Sequence, residues 1–105
     1  MNRVVTFELT KEAHVEIEEI RFQANQLTRA DVDEVRVDVG RVELLDSMLL
    51  GQLVRLTLAL KAREIPLRLM GLSFYGRTVI HRANLDGIFG LEMPEPPRWE
   101  SMTAL

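Results

Sequence analysis

"VRVDVGRVELLDSMLLGQLVRLTLALKAREIPLRLMGL", residues 35–72, decides the fold. Val35, Val37 and Val39 alternate with charged residues, the period-two pattern of a strand with one buried face. "DEVRVDV" (33–39) is read as that strand, and Gly40 ends it. The period then changes. From 46 to 63 leucines recur three and four residues apart, so this segment is expected to be a helix. Ile65–Pro66 stops it, because the residue before a proline is pushed out of the α region. "PLRLMGL" (66–72) has the length and texture of another strand. Two strands joined through a long helix should lie parallel, with a right-handed crossover.

The same alternation continues on both sides. "RVVTFEL" (3–9) is rich in β-branched and aromatic residues and reads as the first strand. Thr10 is placed to cap a helix from Lys11 to Thr28, where Ala13, Ile17, Ile20, Ala24 and Leu27 form one stripe. Val15 and Ile17 also alternate with acids, which would suit the second arm of a hairpin. The helix is preferred, because its period lasts four turns while the alternation fails at Glu19. Downstream, Ser73 caps a third helix through about Ala83. Asn84 suits the left-handed residue that ends it. "LDGIFGL" (85–91) closes the core. Strand and helix alternate three times, which predicts an α/β fold with a small, partly parallel sheet packed by helices. Residues 1–91 are expected to form the domain. Residues 92–105, "EMPEPPRWESMTAL", hold three of the four prolines and read as a tail, or a short helix after Trp99.

Composition removes several functions. A chain of 105 residues fits one domain, of a size that buries about two-thirds of its unfolded surface. A net charge of −3 argues against non-specific nucleic-acid binding. With no cysteine there is no disulfide framework, Cys-ligated zinc or thiol chemistry. "MNRVVTFELT" alternates and turns acidic, unlike a signal peptide. The leucine-rich stretch 48–60 is interrupted by Gln52 and Arg55 and is too short to cross a bilayer. A soluble cytoplasmic protein, with no direct membrane insertion, is the expectation.

The long helix carries the functional signal. On a wheel at about 100° per residue, Leu49, Leu53, Leu56 and Leu60 fall in one stripe that should face the sheet. Ser47, Gly51, Val54 and Leu58 fall together on the far side, flanked by Met48 and Arg55. A helix covering a sheet should be polar there. Either the tail or a homodimer partner packs that side, or it is a docking face for another protein. Gly51 would let the partner come close. Asp46 and Ser47 are favoured N-cap residues, so the pair has an ordinary structural explanation. Ser47 also begins the outward stripe. A phosphate there would add about −1.5 to −2 charges, welcomed by the helix dipole and repelled by Asp46. The fold would survive while an apolar or acidic partner is pushed off.

"VRVDVGRVELLDS", the leucine-rich helix, "LRLMGLS" and the closing "NLDGIF" together resemble a STAS domain, the fold of bacterial anti-sigma-factor antagonists and their relatives. The resemblance spans about residues 3–91 and is looser over "FELTKEAHVEIEEI". It implies a four-stranded sheet backed by helices, and a protein-binding role without catalysis. It implies that Ser47 is phosphorylated by a partner kinase that is itself an anti-sigma factor, and that the unphosphorylated form binds this kinase and frees a sigma factor. Asp46 matches the acid before the serine, and Gly51 matches a small residue on the exposed helix face. Met48 and Leu49 stand where the family often has Ser or Thr and then Gly. Stressosome scaffold members depart there too. The family's usual first edge strand has no room before Arg3, which could leave an open edge for another chain.

Other chemistry is thin. His14 and His81 lie on different helices without further ligands at metal spacing. Glu16, Glu18 and Glu19 read as a solvated face, and Arg77 and Arg82 as solubility or a weak anion site. Trp99 anchors the tail to the domain or to a partner. No nucleophile has a visible base, so an enzyme is not expected, and no cofactor is implied. Two functions are carried forward. One is a regulatory module, a STAS antagonist or scaffold binding a serine-kinase anti-sigma factor or other regulatory ATPase through Asp46, Ser47, Met48, Gly51, Val54, Arg55 and Leu58. The other is a STAS subunit of a bacterial phospholipid-transport ABC system, holding its ATPase through the same face. Self-assembly through an open strand edge is a third reading.

Overall fold

The computed structural model describes residues 3–91. Seven elements follow in order: β1 (Val4–Glu8), α1 (Ala13–Ala24), β2 (Glu34–Asp38), α2 (Ser47–Lys61), β3 (Leu67–Met70), α3 (Phe74–Arg82) and α4 (Asp86–Phe89). The sheet is ordered β1-β2-β3, and both strand pairs are parallel. Phe7 lies beside Val37, and Val37 beside Leu69. The strands joined through α2 are parallel, as the crossover argument required. The fourth strand implied by the resemblance is absent among the described residues. The tail, residues 92–105 with Trp99, lies outside them.

One face of the sheet makes the core. Val35, Val37, Leu67 and Leu69 are buried, together with Leu9 and Val39. Against them pack Ile17 and Ile20 of α1, and Leu49, Leu53, Leu56 and Leu60 of α2, in a single cluster closed by Ile80 and Phe89. The opposite face carries Thr6, Glu8, Glu34, Arg36, Asp38 and Arg68, none of them buried. Charge pairs run across it, with Arg36 Nε 2.6 Å from Glu34 and Arg68 Nε 3.6 Å from the same carboxylate.

The helix α1 is shorter than the stripe suggested, and its hairpin alternative is excluded: Val15 points out, 61% exposed. Thr10 does not cap it. The residue before α1 is Glu12, without a side-chain cap. Instead Glu16 reaches back, accepting from the Thr10 N–H at 2.7 Å and from its hydroxyl at 2.6 Å. These two bonds hold the Glu16 carboxyl below its usual range.

Three helices end in the same way. After α2, the Glu64 N–H reaches Lys61 O and the Ile65 N–H reaches Leu60 O, with Glu64 at φ 63. After α3, Asn84 (φ 59) and Leu85 repeat the pattern, and Gly90 (φ 64) and Leu91 repeat it after α4. These paired bonds satisfy the last carbonyls through one left-handed residue. Asn84 was readable as such a residue. Glu64 was not, since an ordinary side chain there costs about 1–2 kcal/mol.

Candidate functional site: the start and outer ridge of α2

Asp46 organises the start of α2. Its backbone is extended (φ −79, ψ 172), and its Oδ1 accepts the Leu49 N–H at 2.8 Å. Its Oδ2 lies 3.1 Å from His14 Nε2 on α1. The Leu49 N–H first, and then the charge and hydrogen bond of His14, hold the Asp46 carboxyl below its ordinary range against a partial burial that opposes them. The acid is therefore a carboxylate that caps one helix and grips another.

His14 extends the contact. Its Nδ1 lies 3.1 Å from Gln52 Oε1. The Gln52 amide nitrogen donates to the His14 carbonyl and to Glu18 Oε1, both at 3.1 Å. Those two acceptors fix which way the amide points. Both His14 nitrogens thus lie within hydrogen-bonding distance of side-chain oxygens, one of Gln52 and one of Asp46. At the other end of the helix pair, Arg63 Nη1 donates to the carbonyls of Ala24 (3.1 Å), Asn25 and Leu27 (3.2 Å). Polar clasps thus hold α1 to α2 at both ends. The sequence reading missed this. Gln52 registered only as an interruption of an apolar run, yet it is buried at 7% exposure.

The two stripes of α2 separate as the wheel placed them. Leu49, Leu53, Leu56 and Leu60 are at most 1% exposed. On the other side Ser47 and Arg55 are exposed, Met48 is 63% and Leu58 49% exposed, and Gly51 and Val54 are half-buried. Asp46 is half-buried at the head of this ridge. A methyl group on Gly51 would meet only Arg55 Nη1, at 3.9 Å, so nothing in the monomer requires glycine there.

A seam between Gly40 and Gly71 locks the loops that lead into α2 and α3. Asp38 Oδ1 accepts the Gly40 N–H at 2.8 Å. Gly71, at φ 76, comes so near that a Cβ on it would lie 2.9 Å from Gly40 N and 2.7 Å from Asp38 Oδ1. Only glycine fits this close, left-handed approach. The loop after β3 is thereby pinned to the loop that leads into α2. Ser73 then caps α3 by accepting the Gly76 N–H at 3.0 Å. Leu44, Phe74 and Tyr75 are 59%, 52% and 60% exposed at this end.

The other candidates stay apart from the ridge. His81 Nδ1 lies 3.0 Å from Asp86 Oδ2, joining α3 to α4. Glu18 pairs with Arg21 at 3.7 Å, while Glu19, Arg77 and Arg82 are exposed. No cluster of His, Cys, Asp or Glu among the described residues could hold a metal ion. No helix among them is long and apolar enough to cross a membrane.

Residues 11–93 match the family described as "Mlab, STAS domain", and the chain belongs to that family. It is thus a regulatory STAS domain. Among solved structures it is similar to the Bacillus cell fate determinant SpoIIAA in the phosphorylated form, with a TM-score of 0.54 and 19% identity, over 96% of this chain and 86% of that one. That likeness is one of fold. No curated protein matches the chain.

Proposed function

We propose that the chain is a non-catalytic binding module of the anti-sigma-factor-antagonist type. The α2 ridge docks on a serine-kinase anti-sigma factor or another regulatory ATPase, and phosphorylation of Ser47 releases it. One observation carries the reading: on a helix otherwise sunk in the core, Ser47, Met48, Arg55 and Leu58 face water on one side. A phosphate on Ser47 would stand beside an acid already held ionised, so about two further negative charges arrive where an apolar or acidic partner must approach. The cap bond uses the Asp46 side chain, not the Ser47 hydroxyl, so modification leaves the helix start intact. The setting is the cytoplasm, where such kinases and their ATP meet.

Incubation with the cognate kinase and ATP should raise the intact mass by one phosphate, mapped to Ser47. Ser47→Asp should weaken the complex with an unchanged circular dichroism spectrum, and Ser47→Ala should keep it. Modification elsewhere, or none in any cellular state, overturns the switch.

A second reading makes the same ridge a permanent contact, in which the chain holds the ATPase of a phospholipid-transport ABC system and Ser47 is only a contact. Met48–Leu49 in place of a small polar pair and the Mlab description of the family favour it. The co-purifying protein separates the readings: a kinase-like ATPase or sigma regulator supports the first, an ABC ATPase the second. A stressosome-type scaffold would copurify with other STAS chains.

A further inference from the structure

We infer that Arg55 is the intramolecular receptor of a phosphate on Ser47, gripping it across the notch left by Gly51. The inference rests on the phosphorylated-serine reading of the ridge and says what the phosphate does once it is there. Ser47, Gly51 and Arg55 follow one another at intervals of four along α2. Ser47 and Arg55 are exposed, and Gly51 is half-buried between them. Residues so spaced are neighbours on a helix, about 5–6 Å apart between Cβ atoms. Helical side chains lean toward the N-terminus, so Arg55 leans toward Ser47. Its Nη1 already lies over Gly51, 3.9 Å from where a Cβ would be, and no other described residue beyond the local chain comes within 4 Å of that point. A large side chain at position 51 would stand between the guanidinium and the hydroxyl. Glycine leaves the way open.

The surroundings leave this pairing uncontested. Arg55 makes no ion pair among the described residues. The other cations at the head of the helix are engaged or turned elsewhere. His14 holds Asp46 at 3.1 Å, and Arg41 holds Glu8 at 3.3 Å. Lys11 borders a cavity on the α1 side of Asp46 that Ser47 does not line. The N–H groups of the first turn are taken as well, since Leu49 donates to the Asp46 carboxylate and Leu50 to the Asp46 carbonyl. A phosphate is therefore drawn along the ridge, where a planar guanidinium offers two parallel N–H donors. Two changes reach the docking face together. The ridge loses its central cation to the phosphate, and the guanidinium closes over the notch at Gly51. Because the phosphate carries nearly two charges, the face also stays negative.

The test installs the phosphate directly. The full chain is produced with phosphoserine at position 47, so the result does not depend on any kinase. Phosphorus NMR follows the second ionisation of the phosphate, ordinarily at about pH 6. In Arg55→Gln the midpoint should rise by about half a pH unit, the size expected of an exposed ion pair. Asp46 and His14 are common to both chains and cancel from the difference. Gly51→Leu keeps a good helix former while filling the notch; it should raise the midpoint in the same way, with its circular dichroism retained. Equal midpoints for wild type and Arg55→Gln overturn the inference, and so does a Gly51→Leu chain that titrates like wild type. Failure of a cognate kinase to modify Ser47 would remove the switch and leave these midpoints unchanged, so the two failures are distinct.

Discussion

The two long sides of α2 obey different constraints. On the inner side Leu53 and Leu56 are fully buried within the core cluster. On the outer side Leu58 is 49% exposed and Gly51 has open space where its side chain would be. The inner residues are explained by the monomer, and the outer ones are not. Apolar residues that the fold does not use are the ones to assign to a partner.

Substitutions along the helix should break or sharpen this contrast. The largest stability effect belongs to Leu53→Ala, which opens a cavity in the centre of the core and should cost about 2–5 kcal/mol in chemical denaturation. Asp46→Asn should cost less, and its signature is pH. The folded carboxyl titrates below its ordinary value, so its contribution is complete above the usual carboxylate range and is lost as pH falls through the depressed value. Acid titration should therefore show a shallower loss of stability for Asp46→Asn than for the wild type. Gly51→Ala should gain about 0.5–1 kcal/mol, because alanine is the better helix former and the space is open; at the same time it should weaken partner capture. Leu58→Glu should change stability by less than about 0.5 kcal/mol yet abolish the complex in a pull-down. Normal binding by Leu58→Glu would remove the outer stripe from the interface.

What the sequence disclosed follows from the range of the forces involved. Local patterns were readable: the valine alternation of β2, the twin stripes of α2, the Asp46 and Ser73 caps, and the left-handed Asn84 all depend on near neighbours. Contacts between distant segments were not. His14 meets Gln52 and Asp46 only because β1 and β2 pair in parallel and set α1 beside α2, and nothing around His14 announces that. Glu64 was hidden for another reason: glutamate has no preference for positive φ, and only the Ile65–Pro66 stop marked the place. For the site, sequence supplied the ridge residues and their outward direction. It missed the polar clasp beneath them, which ties the acid at the head of the ridge to α1.

The glycine seam has a dynamic consequence. Because Gly71 rests on Gly40 with no room for a side chain between them, the loop before α2 and the loop before α3 form one mechanical unit. A molecule gripping the first turn of α2 should then slow deuterium uptake in the amides of 71–76 as well, shielding a segment it never touches.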